Sequence, residues 1–183
     1  MLPIMLDLTH GPVLLYGDGP AALRRLDLLR AAGAGDIRVF SPEDPSPEFK
    51  TAAGHVTPGA PSEEEIASAI AIFVVDTPDA VDIADTARRH KTLVNVEDNI
   101  PYCDFFTPSI VRRGDLVIAI STNGKSPGLA RRLRQTMERD YGPQWADRLE
   151  KLGEARAGWR AEGLEMSRVS ALTNQMIERE GWL

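Results

Sequence analysis

Four consecutive apolar residues, Val13-Leu14-Leu15-Tyr16, run directly into Gly17-Asp18-Gly19-Pro20-Ala21-Ala22 and then into a stretch with helical spacing. A short apolar run without polar alternation suits a strand buried on both faces, and such strands belong to parallel sheets layered between helices. From Ala21 to Ala32 the residues Ala22, Leu26, Leu29 and Ala32 share one face, and Gly33-Ala34-Gly35 supplies a stop. A buried strand, a glycine-rich turn and an amphipathic helix therefore open the chain. Any fold assigned to the rest must accommodate them.

The same alternation continues. Ile37-Arg38-Val39-Phe40 reads as a second strand, and the three prolines between Ser41 and Pro47 predict a departure from regular structure. Ser62-Glu63-Glu64-Glu65 is a capping box, which predicts a helix running to about Ile70. Ala71 to Val75 reads as a third strand, Asp79 to His90 as a helix and Thr92 to Val96 as a fourth strand. This order predicts an α/β fold, a Rossmann-like parallel sheet with helices on both faces.

After Pro101 the rhythm changes. Ile110-Val111 and Leu116 to Ser121 flank Arg112-Arg113-Gly114-Asp115, a pattern that predicts two antiparallel strands around a turn. Pro127 to Met137 reads as a basic helix whose Leu129, Leu133 and Met137 recur at i, i+4, i+8. Beyond Pro143, two further helices are expected over Trp145 to Glu162 and Leu164 to Gly181. Boundaries are placed near Thr107 and Tyr141. The expected parts are 1–107, a small α+β region 108–141 and a C-terminal helical region 142–183.

Composition removes several functional classes. A net charge of -6 disfavours nucleic acid as the main partner, because phosphate neutralisation needs a dominant basic surface. One Cys and three His cannot build a Cys/His zinc site, and no metal ligands are assigned. No run approaches the ~18 apolar residues of a membrane span. The first residues lack the basic start of a signal peptide, so the expected location is cytoplasmic, away from membranes.

The turn after the first strand has the form Gly-x-Gly-x-x-Ala, in the strand-before, helix-after context that a dinucleotide requires. Gly17 permits the tight turn, Gly19 lets a pyrophosphate approach the backbone, and Ala22 allows close packing. Residues 1–107 are thus read as a dinucleotide-binding domain. Its second strand lacks the terminal acid that would accept from a ribose, which leaves Ser41 and Pro42 there, with Glu43 nearby, and leaves NAD against NADP open. The fourth strand ends Asn95-Val96-Glu97-Asp98, at the edge where open α/β sheets bind ligands. From spacing alone, these acids read equally well as a reactive group or as the start of a turn. Arg112, Arg113, Lys125, Arg131, Arg132 and Arg134, opposed only by Asp115, reverse the overall charge locally and suit an anionic ligand or a solvated face. Cys103 reads as a packing thiol, and Trp145, Trp159 and Trp182 as packing or interface residues.

Five segments together resemble one family. They are Leu2-Pro3-Ile4, the Gly17–Ala22 turn, Leu93-Val94-Asn95-Val96-Glu97-Asp98, Phe106-Thr107-Pro108-Ser109-Ile110-Val111, and the long stretch Ala119-Ile120-Ser121-Thr122-Asn123-Gly124-Lys125-Ser126-Pro127-Gly128-Leu129-Ala130-Arg131-Arg132-Leu133-Arg134. Over about residues 2 to 140 the chain resembles the N-terminal module of siroheme synthase, the precorrin-2 dehydrogenase / sirohydrochlorin ferrochelatase family. The resemblance implies NAD-dependent oxidation of precorrin-2 to sirohydrochlorin on a homodimer built through 108–141. Insertion of ferrous iron is a second activity of some relatives. It implies Asp98 as the essential acid, Gly17, Asp18, Gly19, Pro20, Ala21, Ser41, Pro42, Val75 and Asp76 around NAD, and Asn95, Thr122, Asn123, Gly124 and Lys125 toward the tetrapyrrole. It also implies that another protein supplies precorrin-2. The chain departs from the family pattern at Val75, where a hydroxyl is usual, at Glu97, where an apolar residue is usual, and at Asn123, where glycine is usual. The alternative reading that the departures at Val75 and Asn123 leave is a sensor that binds dinucleotide or tetrapyrrole without turnover.

Overall fold

The computed structural model describes residues 1–183, which divide into two compact units, Met1–Phe106 and Thr107–Leu183. In the first unit the order is β1 (Val13–Tyr16), α1 (Gly19–Ala31), β2 (Ile37–Ser41), α2 (Pro47–Ala53), β3 (Thr57–Pro58), α3 (Glu63–Ser68), β4 (Ala71–Val74), α4 (Ala80–His90) and β5 (Leu93–Val96), followed by a 3-10 turn at Ile100–Tyr102. The strands form one parallel sheet in the order β3-β2-β1-β4-β5. This is the Rossmann-like α/β fold that the alternation predicted.

Strand β1 is central because all four of its residues are apolar and it has a helix layer to bury on either side; β1 and β4 are buried throughout. Leu15, Val39 and Phe73 face one layer, where Ala22, Leu26 and Leu29 of α1 and Phe49 of α2 cover them. Leu14, Phe40, Ile72 and Val94 face the other, under Ile66 of α3 and Ile83, Ala84 and Ala87 of α4. Each such side chain removed from water contributes roughly 1.5–3 kcal/mol, so the two layers together fix the register of the sheet.

The proline-rich stretch departs from expectation. β2 extends through Ser41, and Pro47 begins α2. A proline at the first helical position gives up only an amide that has no helical partner anyway. The two-residue edge strand β3 contains Pro58, which an edge tolerates. The Ser62 capping box is present, with the Ser62 amide donating to Glu65 Oε2 at 2.7 Å and the Glu65 amide to Ser62 Oγ at 3.3 Å; α3 stops at Ser68, short of the expected Ile70.

The second unit contains β6 (Ser109–Arg113) and β7 (Leu116–Ile120), paired antiparallel around Gly114-Asp115, then α5 (Pro127–Asp140), α6 (Trp145–Ala161) and α7 (Met166–Arg179). Gly114 has φ 57°, and a Cβ there would lie 3.3 Å from Ala146 Cβ, so glycine allows the turn to meet the start of α6. Arg113 donates to the carbonyls of Tyr141 (2.8 Å) and Glu138 (3.2 Å), tying the end of β6 to the C-terminus of α5. The Arg148 guanidinium lies 5.0 Å from the Trp145 ring and 5.5 Å from that of Trp182. Of the apolar stripe on α5, Leu129 and Leu133 face outward at 50% and 40% exposed and Met137 is half-buried, while small Ala130 is buried. Alanine at the contact lets the helix approach closely, and the leucines are left on the free face.

Candidate active site at the carboxyl edge of the sheet

The sheet order reverses between β1, which leads toward β2, and β4, which leads toward β5; a crevice for ligands opens at such a switch in open α/β sheets. Gly17 follows β1 and Val75 follows β4. The Val75 amide donates to the Tyr16 carbonyl at 2.9 Å, and a Cβ on Gly17 would sit 2.3 Å from the Val75 carbonyl oxygen. Only glycine fits at 17. Val75 is fully buried beneath it, so its apolar side chain serves packing. Gly19, at φ 77°, has nothing within 4 Å of where a Cβ would stand, and its backbone lies open at the start of α1.

Asp18 sits at the N-cap position of α1 but makes no capping bond there. Its carboxylate instead accepts from the Ser46 amide (2.9 Å) and hydroxyl (3.1 Å), joining the turn after β1 to the loop after β2. Burial pushes this carboxyl up, but the Ser46 and Gly19 amides and the Ser46 hydroxyl outweigh it and hold it below the usual carboxylate range. The negative charge is thereby engaged by the loop beside the helix start. Ser41, at the end of β2, is fully buried and its hydroxyl has no partner. A buried unpaired hydroxyl carries a desolvation penalty of about 1–3 kcal/mol, which a ligand hydroxyl would relieve. An open glycine backbone, a helix start and an orphan hydroxyl fit the pyrophosphate and ribose of a dinucleotide.

Two acids occupy equivalent positions on neighbouring strands. Val74 and Val96 are register partners, and Asp76 and Asp98 each lie two residues beyond them. Both are exposed, and both adopt left-handed backbone, φ 50° and 58°. That conformation costs of order 1–3 kcal/mol for a residue with a side chain and recurs at functional sites. Glu97, between β5 and Asp98, pairs with Arg25 of α1 at 3.4 Å.

Asn95 is buried, and its amide nitrogen donates to the Phe105 carbonyl at 2.9 Å; it fastens the loop after β5. Thr122, Asn123, Gly124 and Lys125 form the β7–α5 loop in the second unit. The Thr122 hydroxyl donates to the Ser126 carbonyl (3.1 Å) and lies 3.2 Å from the Ser126 amide, while Ser126 Oγ caps α5 through the Leu129 amide. Asn123 has φ 51° and Gly124 φ 75°. Asparagine is among the non-glycine residues that adopt such an angle most readily. Thus Gly17–Ala21, Ser41–Pro42, Val75–Asp76 and Asp98 share one edge of one sheet, and 122–125 belong to the other unit.

Sequence reading missed the ties that hold this edge. They are Asp18 to Ser46 and Arg25 to Glu97; it also missed Thr77, two residues beyond Val75, whose buried hydroxyl has no partner. Cys103 packs in the second core layer as expected, and also bonds to the backbone of β5. No group of three or more His, Cys, Asp or Glu gathers in a metal-binding arrangement, and no helix is long and apolar enough to cross a membrane.

Residues 4–109 match the family described as putative NAD(P)-binding, and 113–140 match the sirohaem biosynthesis protein central region. Siroheme synthase 1 of Pectobacterium atrosepticum is 34% identical over an alignment covering all of this chain and 42% of that protein. Siroheme synthase 1 of Cronobacter sakazakii is 38% identical over 75% of this chain and 30% of its own length. The chain therefore spans less than half the length of these relatives. A solved precorrin-2 dehydrogenase superposes with a TM-score of 0.74 and 27% identity, covering 97% of this chain and 89% of that one.

Proposed function

Since the chain belongs to the NAD(P)-binding family of siroheme biosynthesis that includes siroheme synthase and precorrin-2 dehydrogenase, we propose that it oxidises precorrin-2 to sirohydrochlorin. The observation that carries this reading is the shared edge: the glycine turn and Asp98 lie at the carboxyl ends of strands in one sheet. The oxidation removes a hydride and a proton from the macrocycle. A bound NAD+ supplies the hydride acceptor.

The chain's own residues do the rest. Gly17, Gly19, Pro20 and Ala21 shape the helix start around the pyrophosphate, Asp18 holds the adjoining loop, and Ser41 with Pro42 meets a ribose. Asp76 stands exposed at the switch point, and Val75, assigned to the same NAD site, supports it from beneath by packing under Gly17. Asp98 accepts the proton, its exposed carboxylate standing clear of the sheet. The same carboxylate would accept pyrrole protons if ferrous iron is also a substrate. Thr122 to Lys125 and Asn95 are assigned to the tetrapyrrole side, where the surplus of arginine and lysine suits a polycarboxylate. A second copy of the chain is the assigned partner for 108–141, supported by the half-covered hairpin and by exposed Leu129 and Leu133; 142–183 is assigned as a separate helical region.

The test is anaerobic precorrin-2 with NAD+, followed by NADH absorbance. Turnover by the wild type, falling about 10²–10⁴-fold in Asp98→Ala, is the expected result. Equal absence of NADH from both proteins would refute the activity, and tight binding of both ligands without product would favour a sensor.

A further inference from the structure

Glu97 and Asp98 form a two-residue crest between Val96, which ends β5, and Asn99. Both feet of this crest are gathered by one side chain. The Cys103 thiol donates to the Val96 carbonyl at 3.0 Å, lies 3.4 Å from the Asn99 carbonyl, and accepts from the Val96 amide at 3.3 Å. Burial, with the charge of Asp104 adding to it, pushes the thiol up against the opposing effects of the Val96 amide, Arg88 and Arg25. It therefore stays an S–H donor.

Cys103 is itself strapped to the sheet. The Asp104 amide donates to the Val94 carbonyl at 2.8 Å, Asp104 Oδ2 accepts from the Val94 amide at 3.2 Å, and Asn95 holds the Phe105 carbonyl. On the crest, Glu97 reaches Arg25 at 3.4 Å in a pair whose side chains are 12% (Arg25) and 24% (Glu97) exposed. The Arg25 guanidinium lies 5.2 Å from the Phe73 ring, and Phe73 packs edge-on against Phe105 at 5.2 Å. The ion pair and the thiol strap thus meet at one aromatic pair.

We propose that Cys103 and the Arg25–Glu97 pair are positioning residues for Asp98, the thiol closing the base of its loop and the ion pair fixing the residue before it. Left-handed backbone at Asp98 relaxes unless its surroundings over-determine it, and these contacts supply that determination. Glu97, a departure from the family pattern, becomes the group through which this chain anchors the acid to α1. The catalytic consequence rests on the proposed role of Asp98; the geometric one does not.

Two readouts on the full chain separate them. Amide exchange of residues 97–99 in the absence of ligand is measured in wild type, Cys103→Ala, Cys103→Ser, Glu97→Gln and Arg25→Gln, together with kcat and KM for NAD+. Cys103→Ala is expected to speed exchange at 97–99 and to lower kcat about tenfold with KM for NAD+ held, as loss of orientation does. Cys103→Ser should recover most of both, because a hydroxyl can still bridge the loop. Glu97→Gln and Arg25→Gln should each give a similar local loosening and a kcat loss of about threefold. Unchanged exchange and kcat in these variants would overturn the proposal, as would faster exchange spread evenly over the sheet. If Cys103→Ala fails to fold, Glu97→Gln and Arg25→Gln decide it by the same criteria. If the wild type shows no turnover, the functional reading fails, and local exchange alone still decides the clamp.

Discussion

The two sheets of this protein bury their strands very differently. In the first unit β1 and β4 are buried at every residue, covered on both faces by helices of the same unit. In the second, β7 has no fully buried residue and β6 buries only Val111, while α5 turns two leucines outward. The parallel sheet completes its own core, so its carboxyl edge can carry glycine turns and left-handed acids at a tolerable cost. The hairpin has apolar surface beyond what its own helices cover. Complete burial and the glycine turn with its exposed acids thus lie in one unit, and uncovered apolar surface in the other.

The sharpest way to break this contrast is at α5. Leu133→Glu should weaken self-association of the chain by about thirtyfold or more, as charging an interface anchor does, while NAD+ affinity of the first unit stays within twofold. Sedimentation velocity across a concentration series and NAD+ titration check the two halves. A wild type that remains monomeric at high concentration would remove the partner assigned to the hairpin.

Gly17→Ala probes the other side of the comparison. Its methyl would meet the Val75 carbonyl at 2.3 Å, so β1 and β4 must shift; a loss of roughly 1–3 kcal/mol and weaker NAD+ binding are expected, by chemical denaturation and calorimetry. Gly124→Ala meets nothing within 4 Å and should pay only the left-handed backbone cost of about 1–2 kcal/mol.

Arg113→Ala removes the bonds to the Tyr141 and Glu138 carbonyls. A charged donor of this kind contributes about 1.5–3 kcal/mol; hydrogen exchange should loosen in β6 and at the end of α5 while β1 is unaffected.

The smallest effect is the pH dependence of the Asp18–Ser46 tie. The folded-state value of Asp18 lies below the ordinary 3.8, so its stabilisation is fully present above that value and is lost as pH falls through the folded one. The gap in thermal midpoint between wild type and Asp18→Asn should therefore be constant near neutrality and close below about pH 4.

Much of the first unit was legible because its strands are buried on both faces. Val13–Tyr16 and Ala71–Val74 are short uninterrupted apolar runs, and their length and the turn residues that flank them mark them as buried strands. Helix α2 was hidden because Pro47 acts at the start of a helix, where the residue that usually interrupts one is harmless. The site was legible where chemistry is local, as in Gly17-Asp18-Gly19. It was not legible where it depends on backbone angle or on distant partners. Spacing could not decide between a turn and a reactive acid at Asp98, and the structure shows the two to be compatible, since the acid sits in the turn with φ 58°. Nor can periodicity reveal that Cys103 reaches back to Val96, or Arg25 across to Glu97. On α5 the recurrence of Leu129 and Leu133 identified the helix but not which way they face, because outward and inward leucines share one spacing.

The strand order has a consequence for the history of each molecule as it is made. β1 lies between β2 and β4, and Val13 must wait for Ala71 before its second ladder can close. Until then the fully buried central strand has one open edge, and ladders joining distant residues form slowly because a long loop must first be closed. The β6–β7 hairpin joins Arg113 to Leu116 and needs no such wait. A ribosome emitting this chain therefore releases its central strand first and the strand's second neighbour much later, which makes that interval the one most exposed to mispairing between nascent chains.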